Sequence, residues 1–318
     1  MMWKLLVRNA FRHKLRSLLT IFGVAVAVLA FGLLRTVMDA WYAGVSAAAA
    51  NRLIIRNAIS LTFFLPIAYG DKIRAVDGVE AVSHMSWFGG IYIDRKNFFA
   101  NFAVDAKSYL ELYPEFVVPE DQKDTFVRDR KGCVVGRGLA RRFGWQVGDP
   151  ITLQGTIFAG DWPLTVRAIY TGRDQSIDEN QLFFHWDYLN ERLKAVSPRR
   201  ANYAGIFIIR ISDPDAAASV SAALDALFSN SLAETLTETE RAFQLGFVSM
   251  SEAILMAIRM VSFLIIGIIM AVAANTMIMS VRERLHEFAV FKTLGFGALR
   301  LGGMIAGRLA VSRLVQHF

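Results

Sequence analysis

Two stretches without a charged side chain constrain this chain more than any other feature. Ser17–Leu34, SLLTIFGVAVAVLAFGLL, runs for 18 residues between Arg16 and Arg35; Met260–Val281, MVSFLIIGIIMAVAANTMIMSV, runs for 22 between Arg259 and Arg282. As helices they extend about 27 Å and about 33 Å, and a bilayer's hydrocarbon core is about 30 Å thick. The pattern predicts transmembrane helices at 17–35 and within 246–281, the latter starting as a stalk and running into the second span. A buried core helix is the competing reading, stronger for the first run. A cleaved signal peptide competes there too, but the run is longer than a signal core and no small-x-small site follows Arg35.

Charge is distributed to match. Residues 1–16 carry a net +5 and residues 282–318 a net +4, whereas the 265 residues between them sum to −2. Basic flanks on both ends predict cytoplasmic termini and an exported middle. The split argues against nucleic acid as partner, because the large central section has no positive field. Within 1–16, Trp3, Leu6, Val7, Ala10 and Phe11 recur at helical spacing. Lys4, Arg8, Arg12 and Arg16, with Lys14, form a basic row. An amphipathic helix is expected there, its Trp3 and cations against lipid headgroups.

Residues 36–245 read as an α+β extracytoplasmic domain. RLIIRN from Arg52 is a buried strand despite its apolar surroundings. Gly70-Asp71 opens a short helix that ends at Asp77-Gly78, and EAVSHMSWFGGIYI and NFFANFAVD follow as strands. CVVG is a strand, RGLARRFG a helix closed by Gly144, and PLTVRAIYTG a strand. Asp213-Pro214 starts an Ala-rich helix after the strand YAGIFIIRIS. Two similar βα units from distant parts of the chain are thereby expected to lie together. From about Thr237 to Val281 the pattern reads as continuous helix.

Chemistry-bearing motifs are sparse. No G-x-x-x-x-G-K-[ST] and no G-x-S-x-G occurs, and the five histidines share no metal-ligand spacing with the one cysteine, Cys133. Cys133 reads as a small buried filler. Phe98, Phe99 and Phe102 fit either core or a ligand-facing set, core being preferred. No catalytic, metal or cofactor site is expected.

VRERLHEFAVFKTLGF, residues 281–296, follows the second apolar run directly. Val281, Leu285, Phe288, Phe291 and Leu294 form an apolar stripe; Glu283 and Glu287 share another face, where like charges repel. Paired carboxylates facing anionic lipid gain nothing, so a helix docking onto a cytoplasmic protein explains them better than an anchor.

R-E-R-x-x-E-F-A-V-x-K-T-L-G-F at 282–296, with GRGLARRFGWQVGDPITL at 136–153 and TVRAIYTG after it, resembles FtsX/MacB-type ABC transporter permeases. The resemblance implies a MacB-like periplasmic core domain between the spans. It implies a separate cytoplasmic ABC ATPase, a second permease copy or paralogue making a dimer, and room for a periplasmic adaptor protein. Arg282, Glu283, Arg284, Glu287, Phe288 and Lys292, within a coupling segment at 282–303, are the docking residues it implies. The function implied is a permease subunit that passes ATP-driven motion outward, for export or extraction of a lipoprotein, lipid or small molecule. The stretch 304–318 departs from the family, which carries further spans there, because Arg308 and Arg313 interrupt it. A two-span signalling or scaffold protein, or an inactive truncated permease, is the alternative reading.

Overall fold

In the computed structural model the described residues are 22, 25–26, 28–37, 48–250 and 252–282. Two compact units emerge, one spanning Asp39–Glu252 and the other made from the remaining residues. The expected amphipathic helix at 1–16 and the coupling segment after Arg282 lie outside the described residues.

The unit 39–252 is built on one 10-stranded sheet. Its half nearer the chain's ends comprises β1 (Arg52–Asn57), α1 (Tyr69–Arg74), β3 (Val79–Trp87), β11 (Ile206–Ile211), α6 (Ala217–Leu227) and β12 (Thr235–Thr239). The strand order β12-β1-β11-β3 interleaves two βα units: β11 lies between β1 and β3, and β1 between β11 and β12. β1 pairs antiparallel with both β11 and β12, and β11 with β3, so β1 and β3 run in the same sense. The two similar βα units expected from sequence therefore meet in one sheet. Leu53, Ile55, Phe207 and Ile209 point to one face, where Tyr69 and Ile73 of α1 and Val220 and Leu224 of α6 close over them.

The chain from 88 to 204 extends the same sheet. It adds β4 (Ala100–Val104), β5 (Phe116–Val117), β6 (Gly132–Gly136), β7 (Pro150–Gly155), β8 (Gly160–Gly172) and β9 (Gln181–His185). The order continues β3-β4-β9-β6-β8-β5, with β7 on β8. A two-stranded pair, β2 (Leu65–Pro66) with β10 (Tyr203–Ala204), stands apart. Strand β8 alternates as a half-covered strand should: Trp162, Leu164, Val166, Ala168 and Tyr170 are buried and their neighbours are not. Strand β6 is buried on both faces, which its unbroken GCVVG requires. Helices α2 (Tyr109–Leu112), α3 (Glu120–Arg128), α4 (Arg137–Phe143) and α5 (Trp186–Val196) cover this half. Gly144 ends α4 at φ 72°, a left-handed cap. At Gly136 any Cβ would collide with the Glu179 carbonyl oxygen.

Two readings need correction. Thr235–Thr239 is strand β12, not the start of a continuous helix; α7 (Glu240–Met250) and α8 (Glu252–Arg282) follow it. Alternating Thr235, Thr237 and Thr239 suit a pleat, and β1 supplies the partner ladder. EAVSHMSWFGGIYI stops as a strand at Trp87, because Gly89 adopts φ 67° and turns the chain out of the sheet.

In the other unit, residues 28–37 are helical and α8 is a 31-residue helix. Met260, Phe263, Leu264, Ile268, Met270 and Ile278 each expose more than half of their surface. Among the described residues no helix is long and apolar enough to cross a membrane.

Candidate functional site

Arg52 opens β1 at the point where the chain enters the sheet, and its side chain is only 4% exposed. A buried guanidinium needs its charge and its donors satisfied. Nη2 and Nη1 fork onto Glu115 at 2.5 and 3.4 Å, and Nη1 also donates to the Leu112 carbonyl at 2.7 Å. Nε donates to Glu240 Oε2 at 2.7 Å. The Tyr113 ring lies 3.8 Å from Cζ. Burial alone would lower the guanidinium's pKa; hydrogen bonding to Glu115 and the nearby negative charges outweigh it and keep Arg52 protonated.

Glu240 is the first residue of α7, where a carboxylate suits the helix N-terminus. The same Oε2 accepts the Ala49 N–H at 3.0 Å. One carboxylate thus holds the chain just before β1, the first residue of β1, and the first turn of the helix that leaves the sheet. In the antiparallel ladder Leu53 faces Thr239, so Arg52 and Glu240 occupy the next rung.

Neighbouring contacts stitch β12 on both sides. Arg56 Nε meets Glu238 Oε1 at 2.8 Å across the β1–β12 ladder. Asp225 of α6 accepts from the Thr235 and Thr237 hydroxyls at 2.9 and 2.7 Å and from the Thr237 N–H at 3.0 Å. Tyr109 and Tyr113 are packed against the clamp, and burial raises both phenols well above their ordinary range. A cleft of about 910 Å³ opens beside it, between Arg52, Glu115 and Glu240 and the segment Gly172–Gln181. Two carboxylates on one guanidinium, at the junction of entering and leaving segments, tie those segments together.

Of the sequence-predicted docking residues, Arg282 is the exposed end of α8; Glu283, Arg284, Glu287, Phe288 and Lys292 lie outside the described residues. So do Trp3, Lys4, Arg8, Arg12, Lys14 and Arg16. Cys133 is fully buried in β6, and burial pushes its thiol pKa far up. The phenylalanine trio divides: Phe99 is core, Phe102 half-buried, Phe98 59% exposed. Among the described residues no group of His, Cys, Asp and Glu could hold a metal ion. Sequence reasoning missed the Arg52 clamp; its one local signal was an arginine heading a strand otherwise made for burial.

The family model for the MacB-like periplasmic core domain matches residues 17–227, about two thirds of the chain. Among solved structures, the chain is similar to the extracellular domain of the ABC-type transporter YknZ from Gram-positive bacteria. That likeness has 13% identity and a TM-score of 0.44, covering 59% of this chain and 99% of that one. It is also similar to the periplasmic region of MacB from Actinobacillus actinomycetemcomitans, at 12% identity and a TM-score of 0.43, over 64% of this chain and 95% of that one. No curated protein matches it. The matched span contains Arg52 and Glu115 and both interleaved βα units up to the end of α6, and the chain belongs to the MacB-like periplasmic core domain family of FtsX/MacB-type ABC transporter permeases.

Proposed function

We propose that this chain is the membrane subunit of an ABC transporter, in which a separate cytoplasmic ATPase drives motion and the 39–252 unit delivers it outside the cell membrane. The family match supports the permease role. The observation that carries the mechanical part is Glu240, whose one carboxylate oxygen holds both Ala49 and Arg52 at the head of α7. A displacement of α7 cannot reach β12 alone; the clamp delivers it to β1 in the same step. The uncharged runs 17–34 and 260–281 are the two membrane crossings in this reading, with both termini cytoplasmic. The ATPase docks at 282–292. A second permease copy and an extracytoplasmic adaptor complete the assembly, and a lipoprotein, lipid or small molecule is the cargo class. ATP hydrolysis belongs to the partner subunit.

The test uses the full chain co-assembled with its ATPase. Hydrogen exchange of segments 48–57 and 235–250 is compared in the nucleotide-free and vanadate-trapped states. The wild type is expected to change protection in both segments together. Glu240→Gln is expected to confine the change to 240–250 while ATP turnover persists. Equal protection of both segments in the two wild-type states would refute the relay.

A further inference from the structure

Two arginines brace the turn that joins β7 to β8. Arg192 of α5 places Cζ 4.4 Å from the centre of the Trp162 ring. Arg200, in a 3-10 turn at Pro198–Arg200, places Cζ 4.8 Å from that of Phe158. The rings beneath them are fixed. Trp162 and Phe158 are core residues, the Trp162 indole N–H donates to the Phe158 carbonyl at 2.9 Å, and the Phe88 ring lies 5.2 and 5.8 Å from the two. Each guanidinium is then tied by one hydrogen bond, Arg192 Nη1 to the Asp161 carbonyl and Arg200 Nη1 to the Ile157 carbonyl at 3.0 Å. Gly160 leaves the room: a Cβ there would stand 3.2 Å from Arg192 Nη2.

Bracing uses one N–H of each arginine's five. The other donors have no partner among the described residues, and no carboxylate there pairs with either guanidinium. Arg199, next in sequence and exposed, makes no ion pair among the described residues either. Segments 155–162 and 191–200 together hold four cations, Arg192, Lys194, Arg199 and Arg200, against two carboxylates, Asp161 and Glu191. Glu191 is engaged by Lys194 at 2.8 Å. This excess of positive charge sits within a section, 17–281, whose own sum is −2. Guanidiniums held in place lose little freedom on binding, and their planar forks match the oxygens of a phosphate two at a time.

We propose that Arg192 and Arg200, with Arg199 beside them, hold a phosphate group. Phosphate is favoured over a carboxylate because donors converging from two forks suit an anion with more acceptor oxygens and more charge. A free phosphate ion and the phosphorylated headgroup of a lipid present the same chemistry. All of these residues belong to the 39–252 unit, so the site does not depend on where that unit is placed.

Hydrogen exchange of the purified full chain in maltoside micelles tests it, during titration with inorganic phosphate, soluble dihexanoyl phosphatidic acid or acetate. A phosphate compound is expected to slow exchange saturably in 155–162 and 191–200, with acetate needing roughly tenfold more or failing altogether. Protection by inorganic phosphate assigns the free ion; protection by phosphatidic acid alone assigns the headgroup. Arg192→Gln with Arg200→Gln should raise the half-saturating concentration roughly tenfold or more. Because that pair also braces the turn, a second variant leaves the brace intact. Val196 is 70% exposed and one helical turn after Arg192. Val196→Glu sets a competing carboxylate beside the guanidinium and should weaken protection too, whereas Val196→Gln should not. Absence of saturable protection by either phosphate compound, acetate as effective as phosphate, or unchanged half-saturation in either charge variant would each overturn the site.

Discussion

At the scale of single residues, the informative one is Arg52. Its partners are 63 and 188 positions away in the chain, so no window of sequence could have shown them together. What the sequence did show was the strand around it, because LII is apolar on both faces. Arg52→Ala leaves two carboxylates facing each other without a cation and is expected to cost about 3–5 kcal/mol. In a unit of this size that lowers the melting temperature by roughly 10 °C, measurable by calorimetry. Arg52→Lys should recover only part of it, since an ammonium cannot fork onto Glu115 while reaching Glu240. Cys133 was legible for the opposite reason: its flanking valines already specify a buried strand.

Two histidines, His185 buried and His84 half-buried, add a pH dependence. Burial lowers the pKa of both His84 and His185 below the ordinary 6.5. His185 Nε2 sits 2.6 Å from the Phe126 carbonyl, while His84 Nε2 is buried without a partner among the described residues. Asp105 and Asp187 oppose the shift at both sites; Arg74 reinforces it at His84. A base depressed in the folded state leaves the unfolded chain binding more protons, so stability is present above 6.5 and lost as pH falls through the folded values. Denaturant unfolding at neutral and mildly acidic pH should show this loss, and His84→Asn with His185→Asn should flatten it. An unchanged slope in the double variant would assign the acid sensitivity to other groups.

Among the secondary-structure elements, those carrying their own punctuation were readable. Helix α4 has Gly144 just past its last turn, and Asp213 caps the turn before α6 by accepting the Asp215 N–H. Strand β12 lacked such marks: Thr235–Thr239 becomes a strand through its five-position register with β1 and its hydroxyl contacts to Asp225. The two glycines flanking α4 separate local from tertiary demands. Gly144→Ala forces a left-handed alanine into open space and should cost about 1 kcal/mol. Gly136→Ala meets the Glu179 backbone carbonyl, which has no rotamer to yield, and should cost about 3 kcal/mol or more. Comparable losses for the two variants would show that the approach of Glu179 to β6 relaxes easily.

For the molecule as a whole, composition and charge asymmetry suggested a membrane protein with an exported middle; the motifs at 136–153 and 282–296 suggested the permease class, and the family match agrees with that class. They could not foresee that one sheet would run from β12 to β5 through an insertion of more than a hundred residues. Local periodicity describes strands, not which distant strands share an edge. The proposed topology has a direct check. Protease added outside intact spheroplasts should cleave at exposed loops such as 58–64 and spare epitope tags at the termini. Loss of the tags with the loops intact would reverse the orientation.

β1 and β12 are antiparallel neighbours, and the chain enters one and leaves the other at the same end. A tug that spreads those two connections would peel the ladder like a zipper, one rung at a time, which is the weakest direction in which to load a sheet. Arg52 and Glu240 are the closed slider at the mouth of that zipper. In the proposed relay, traction would move the domain as a rigid lever while they hold; once they part, the same traction would fray it.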